Sequence, residues 1–389
     1  MYAQVQHAVL PVASHDENAR QEFVVGFKRY VQHEVLPGAN DLYERVVLPK
    51  IRRSRKRDPE SRFEIQKAME AEPYYQMGTV LQREGQSMLW HSVLDSIERQ
   101  LPELIVRAKD ATKAPKGSLK IAKNHKAPDY ILKNHHHLVP GGYAEERCAD
   151  DVAAGALYDR GAYLYVGGFF GPRMDGLGRA ILSFLGHNFP NLKPRRILDM
   201  GCTAGGSTVI IKETFPDAEV YGIDVGAPCV RYAHARAESL GVEVHFSAQN
   251  AERTDFPDGF FDLVVSTAML HETSTPALAN IVRESCRLLA PGGLMVHGEQ
   301  PQYHGMHVWE QFVRDWDTKN NGEPFWGTLH DTDMIDLAER MGFARSRVFE
   351  RIGVNSQELT KTLGNQGWPK GKAIGRPGGG GLYFFGATK

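Results

Sequence analysis

Cysteine is scarce in this chain. Cys148, Cys202, Cys229 and Cys286 are scattered, and no two of them form a C-x-x-C pair. That argues against a disulfide frame and for reduced thiols, as in a cytoplasmic protein. Charge of either sign is not in excess: the formal net charge is −1, so no global field draws nucleic acid or a membrane surface. Long hydrophobic runs are missing as well, and no stretch reaches membrane-spanning length. The first twenty residues lack a basic start and a continuous apolar core, so they do not read as a signal peptide. No internal repeat is evident. What is present is ordinary for a globular protein: 42% hydrophobic and 24% charged residues over 389 positions, enough for two domains or one large one.

Against this even background, Ile197-Leu-Asp-Met-Gly-Cys-Thr-Ala-Gly-Gly-Ser-Thr208 stands out. An apolar strand runs into Asp199, then a small-residue loop, then an apolar helix start. Val220-Tyr-Gly-Ile-Asp224 is a second apolar strand that ends in an acid. A glycine loop after one strand and a carboxylate after the next is how a Rossmann-like sheet holds an adenosine-containing cofactor. The G-x-G-x-x-G spacing of a dinucleotide site is absent.

The pattern changes near residue 190. Before it the chain reads as helical. Helices are expected over Asp16–Leu36, stopped by Pro37-Gly38, and over Asp41–Arg57, which ends in a basic run from Lys50. From Pro73 to Arg107, Met77, Leu81, Leu89, Leu94, Ile97, Leu101 and Leu104 recur near helical spacing, with Pro102 expected to kink or end the helix. Arg107–Lys133 is rich in Lys and Arg and carries Pro115, Gly117 and Pro128, so it reads as an exposed basic loop. His135-His-His137 reads as a solvated loop rather than the alternative of a metal site, and a helix is expected over Ala144–Asp159. Tyr163, Tyr165, Phe169 and Phe170 form an aromatic, glycine-rich segment, either inter-domain core or a wall around an apolar substrate.

After residue 195, strands and helices alternate. The expected strands are Arg196–Asp199, Glu219–Asp224, Glu243–Ser247, Phe261–Ser266, Gly293–Glu299, Ala344–Arg351 and Gly381–Ala387. Each of the first gaps is helix-sized, which implies a parallel sheet covered on both faces. Helices are expected over Val308–Thr318 and Thr332–Met341. The last two strands are separated by a long glycine-rich connection and could pair antiparallel as a hairpin.

Residues 176–389 resemble a class I S-adenosylmethionine-dependent methyltransferase of the small-molecule, ubiquinone/menaquinone-biosynthesis type. The resemblance rests on four motifs in order. They are Asp199-Met-Gly201-Cys-Thr-Ala-Gly205, then Asp224, then Gln249-Asn250-Ala251-Glu252 with Phe256-Pro-Asp-Gly-Phe-Phe-Asp262, and finally Leu288-Leu-Ala-Pro-Gly-Gly293. It implies an α/β fold: a Rossmann-like seven-stranded sheet with an antiparallel last strand, preceded by a mostly helical cap over residues 1–175. It also implies S-adenosylmethionine as cofactor, held by Asp199, Gly201, Thr203, Gly205, Asp224, Val225, Asn250, Ala251 and Thr267. Asp224 would take the ribose hydroxyls and Asn250 the adenine amine, where the family usually has Asp. Thr203 replaces a common glycine, and its φ is expected below zero.

In this fold the acceptor binds beyond the carboxyl ends of the fourth and fifth strands. His271, Glu299 and His304 lie there and are the candidate catalytic residues. His271 suits a general base, or alternatively a packing role beside the cofactor. His297, Glu299, His304 and His307 match no strong ligand spacing, and no metal is expected. The implied function is methyl transfer to oxygen, carbon or nitrogen of a small metabolite, with no membrane partner and a homodimer left open. The rival reading is an RNA methyltransferase that uses the basic segments around Lys50–Arg57 and Arg107–Lys133. The basic segments could instead hold an anionic substrate.

Overall fold

The computed structural model describes residues 4–352 and 382–389. Helix α1 (His15–Tyr30) starts on a reciprocal cap between Ser14 and Glu17. It does not stop at Pro37-Gly38. A wide π turn over Val31–Val35 leads directly into α2 (Leu36–Leu42), and a second over Tyr43–Val47 leads into α3 (Leu48–Arg55). Pro37 and Pro49 each sit at the start of the helix that follows such a turn. There the missing N–H costs little, because the wide turn has already displaced the hydrogen-bond ladder. Helix α4 (Arg62–Met69) follows, and then α5 (Pro73–Ala111), 39 residues long. The expected break at Pro102 does not occur. Pro102 is on the solvent face, where water can satisfy the freed carbonyl, while Ile97, Leu101 and Leu104 are buried on either side of it. Their burial, about 1.5–3 kcal/mol each, outweighs a proline cost of about 3 kcal/mol.

The segment after α5 holds the first correction to the seven-stranded expectation. Strand β1 (Ser118–Lys120) joins the sheet edge, and short α6 (Asp129–Leu132) follows. The next helix, α7, runs over Ala153–Tyr165 rather than Ala144–Asp159, and α8 spans Gly176–Asn188. The alternating region then gives β2 (Arg196–Met200), α9 (Gly206–Thr214), β3 (Glu219–Asp224), α10 (Ala227–Ser239), β4 (His245–Ala248), β5 (Phe261–Thr267), α11 (Thr275–Leu288) and β6 (Leu289–Glu299). Three helices, α12 (Val308–Asn321), α13 (Trp326–His330) and α14 (Met334–Arg340), precede β7 (Val348–Ile352) and β8 (Tyr383–Thr388). The glycine-rich connection expected between the last two strands lies outside the described residues.

The eight strands are ordered β1-β4-β3-β2-β5-β6-β8-β7. All neighbours are parallel except β8, which runs antiparallel to both β6 and β7. The chain reverses direction across the sheet between β2 and β5, so a crevice opens at their carboxyl ends. Helices α8, α9 and α10 cover one face and α11 and α14 the other. Leu89, Trp90 and Val93 of α5 and Leu157 and Tyr163 of α7 form a further core against Tyr232 and Ala235 of α10. The helical layer is not made by the first 175 residues alone. Tyr43, Val47, Ile65 and Tyr75 pack on Phe312 and Trp316 of α12, and Arg62 is paired with Asp315 and Asp331.

Candidate active site

Two adjoining cavities open at the carboxyl ends of the strands, sharing Tyr158, Gly201, Thr203 and Thr267. The first spans about 640 Å³ including its open mouth and is lined by Asp224, Val225, Asn250 and Ala251. The second, about 500 Å³, is lined by Asp199, Ser207, Asp159 and Arg236. Of the nine cofactor residues expected from sequence, all but Gly205 line one or both. Gly205 instead takes φ +75° as the N-cap of α9. Gly201 has φ +73°, and a Cβ there would meet Met269 Cγ at 2.3 Å, so only glycine fits.

Thr203 corrects an expectation: its φ is +43°, in the left-handed region. That conformation costs a β-branched residue roughly 1–2 kcal/mol. It is held there by its N–H, which donates to Asp224 Oδ2 at 3.0 Å. The other carboxylate oxygen of Asp224 accepts from Gly226 N–H at 2.8 Å. Burial raises the Asp224 pKa, and these two donors oppose that rise. Asn250 Oδ1 accepts the N–H of Glu252 at 2.9 Å, which fixes the amide and leaves one lone pair for a ligand.

Asp199 is fully buried. Burial pushes its pKa up to about 7, the Thr208 hydroxyl opposes this, and the charge of Asp224 adds to it. Its Oδ2 accepts from Thr208 Oγ1 at 2.6 Å, while Oδ1 has no hydrogen-bond partner among the described residues. A bare carboxylate oxygen lining a cavity that also holds Arg236 suits a zwitterionic amino-acid end. Arg236 is buried, donates to the carbonyls of Ala204 and Arg173, and lies beside buried Asp159.

The catalytic candidates separate. Among His271, Glu299 and His304, the first two are joined: His271 Nδ1 lies 2.7 Å from Glu299 Oε2, and Leu270 N–H donates to Glu299 Oε1 at 2.6 Å. His304 is exposed in the loop after β6 and is not brought to this pair. His297 is buried against Ser266 Oγ at 2.7 Å, and burial lowers its pKa to about 3. His307 caps α12.

His135-His-His137 is not a solvated loop. His136 is completely buried, and His137 Nε2 is 2.7 Å from Glu272 Oε1. Glu272 lines the first cavity, accepts from Tyr143 OH at 3.1 Å, and lies 3.6 Å from His271 Nε2. Trp326 packs over the His271 ring at 4.3 Å. Burial opposes protonation of His271, but Glu299 and Glu272 outweigh it and hold its pKa well above the ordinary value. Burial likewise opposes protonation of His137, and Glu272 and Glu323 raise its pKa to about 10. Burial would raise the Glu272 pKa, but His137 and His271 drive it well below the carboxylate range. The two carboxylates flanking His271 favour its protonated form.

The sequence reading missed Tyr130, Tyr143, Tyr158 and Glu272, all of which line the first cavity. The basic segment is part of its wall: Tyr130 and Ile131 line it, and His125 Nε2 lies 2.8 Å from Val225 O. A proximity signal existed only for Glu272, which directly follows His271. Of the aromatic segment, Tyr163 is core and Phe170 lines the second cavity.

Strand order, a glycine loop after β2, an acid after β3 and a bare buried carboxylate beneath the loop define a class I S-adenosylmethionine-dependent methyltransferase domain. Residues 197–293 match the family described as methyltransferase domain. The cofactor of this domain is S-adenosylmethionine. The chain is 38% identical over 108 residues to demethylmenaquinone methyltransferase of Thermus thermophilus, covering 28% of this chain and 48% of that one. It is 36% identical over 105 residues to phosphoethanolamine N-methyltransferase 1 of Arabidopsis thaliana, covering 26% and 21% respectively. The chain thus spans less than half the length of these curated relatives. A solved structure of phosphoethanolamine N-methyltransferase 2 of Haemonchus contortus with S-adenosyl-L-methionine aligns at TM-score 0.38 and 16% identity, covering 54% of this chain and 51% of that one. Among the described residues no helix is long and apolar enough to cross a membrane.

Proposed function

We propose that this protein transfers a methyl group from S-adenosylmethionine to an ionisable oxygen, nitrogen or carbon of a small metabolite, releasing S-adenosylhomocysteine. The bound cofactor supplies a methyl carbon activated by a sulfonium. Asp199 would hold its ammonium, Asp224 its ribose and Asn250 its adenine. The observation that carries the small-molecule reading is the wall of the first cavity. Tyr130, Ile131, Tyr143 and Tyr158, all from the first 175 residues, close over the same space that Asp224 and Glu272 line. A concave pocket with aromatic walls and a few polar groups suits a small molecule better than a polymer.

His271 and Glu272 hold the polar end of the acceptor in this reading, and Glu299 orients His271. Its protonated form, which the two carboxylates favour, would stabilise an anionic acceptor. His271 serves as a base only after its proton has been passed on.

The basic segments give little support to the RNA alternative. Lys50 pairs with Glu72, Arg52 with Asp58, and Arg55 and Arg57 with Glu64. Lys109, Lys120 and Lys133 pair with Asp150, Asp255 and Asp129. Their charge is largely neutralised within the chain.

The test uses methyl-labelled S-adenosylmethionine with panels of hydroxy acids, phenols and amines, alongside total RNA. Label in a small molecule supports the proposal. Label in RNA alone, or calorimetry showing no cofactor binding, overturns it.

A further inference from the structure

Three potential metal ligands meet beside the acceptor side of the first cavity. One ring nitrogen from each of His137 and His271 and a Glu272 carboxylate oxygen all lie within 4.8 Å of one another. Glu272 Oε1 is 2.7 Å from His137 Nε2 and 3.6 Å from His271 Nε2. A first-row divalent ion with bonds of about 2.0–2.2 Å sets its ligand atoms roughly 3.0–3.6 Å apart, so small side-chain movements suffice.

Two further observations are independent of that convergence. His271 has a carboxylate hydrogen-bonded behind its other nitrogen, Glu299 at 2.7 Å from Nδ1, while Glu323 lies 3.1 Å from His137 Nδ1 without hydrogen-bond geometry. The His271–Glu299 pairing is the arrangement that fixes the ring and raises the basicity of a metal-bound histidine. Moreover, Glu272 is 8% exposed, and its Oε2 is buried with no hydrogen-bond partner. That oxygen faces His136 Nε2 at 3.7 Å, too far for a hydrogen bond, so its lone pairs are free to meet an ion.

We infer that His137, His271 and Glu272 form a mononuclear site for a divalent transition-metal ion whose open positions face the acceptor; the ion displaces the ligating-nitrogen protons of both imidazoles, which are released to solvent. Two imidazoles and one carboxylate favour iron(II), manganese(II), cobalt(II) or zinc(II) over magnesium or calcium, which prefer all-oxygen sets. Glu272 and Tyr143 line the cofactor cavity, so an ion there can take an anionic oxygen of the acceptor as a further ligand. The substrate class this selects is a hydroxy acid, phenol or enol, a clause that rests on the methyl-transfer reading above. The O–H proton leaves to solvent as the oxygen coordinates. An oxygen lone pair then forms the C–O bond while the C–S bond breaks, and its electron pair stays on sulfur.

The experiment titrates chelator-treated full-length protein with cobalt(II), read by visible absorption, followed by calorimetry with S-adenosylmethionine on the same sample. One equivalent should bind, about 100-fold more weakly in Glu272→Gln. Glu299→Gln keeps all three ligand atoms, and an affinity loss of about 10–100-fold is expected; it carries the test if Glu272→Gln does not fold. Wild-type protein that binds S-adenosylmethionine but takes up no stoichiometric cobalt overturns the site, as does uptake that survives both Glu272→Gln and His137→Ala. Cobalt uptake without cofactor binding would remove the methyl-transfer reading and leave the metal site standing.

Discussion

The cofactor loop and the histidine cluster are neighbours in space, joined through Glu272, but they are assembled differently. Asp199, Gly201, Thr203, Asp224 and Asn250 all fall within residues 199–250, on the turns of one parallel sheet. The cluster draws His137 from the segment before α7, His271 and Glu272 from the turn after β5, Glu299 from the end of β6, and Glu323 and Trp326 from beside α13. In the first group, each residue's position follows from the strand that carries it. In the second, His271 and Glu299 meet on adjacent strand ends, but His137, Glu323 and Trp326 reach them only once the helical layer has packed on the sheet. The lesson is that the donor side is a local property of the chain and the acceptor side a tertiary one.

That contrast predicts separable defects. The largest belongs to the cluster. His271→Ala should lower turnover by about 10²–10⁴-fold, with S-adenosylmethionine affinity by calorimetry hardly changed. Loss of both would put His271 in the cofactor shell and erase the distinction. Asp224→Ala should do the reverse, weakening the cofactor by about 10–100-fold through loss of two charge-assisted contacts. An unchanged affinity would remove Asp224 from the cofactor site.

Asp199 sharpens the comparison through pH. Its folded pKa of about 7 lies above the ordinary 3.8. The folded state therefore keeps a proton that the unfolded chain releases. The penalty for ionising Asp199 grows as pH rises from about 4 and is complete above about 7. Asp199→Asn should raise the Tm of cofactor-free protein at pH 8 by about 2–4 °C and leave it unchanged at pH 4, while weakening the cofactor. Equal melting shifts at both pH values would show that the carboxylate is not held in this way. The smallest effect is expected far from both groups. Lys120→Glu on the exposed edge strand β1, next to Asp255, should change the acceptor KM by less than about twofold. A large rise in KM would restore the basic segment as an anion site.

Much of the donor side was legible in advance. Apolar runs ending in Asp199 and Asp224 mark strands, and the turns that follow can approach a ligand only with glycine at 201 and 205. Thr203 was misjudged because its φ is set by a hydrogen bond to Asp224, a contact between two turns that a local reading does not include. The two prolines expected to end helices also failed as stops. At Pro37, a π turn had already displaced the ladder, and at Pro102 the lost bond faces water. Neither circumstance appears in a residue-by-residue propensity.

The acceptor side was illegible for a different reason. His135-His-His137 has the polarity of a surface loop, and it is buried only because Glu272 and Glu323 arrive from segments more than a hundred residues away. The basic stretch 107–133 likewise looked solvated, yet it contributes an edge strand and two residues of the cavity wall.

By itself the sequence determined seven of the eight described strands, the nucleotide-type turns and hence the methyl donor, because period, glycine placement and strand-end acids are local constraints. Only the tertiary structure decided the charge state of His271 and the partners of His137. A buried charge is fixed by whatever surrounds it, and those surroundings come from distant parts of the chain.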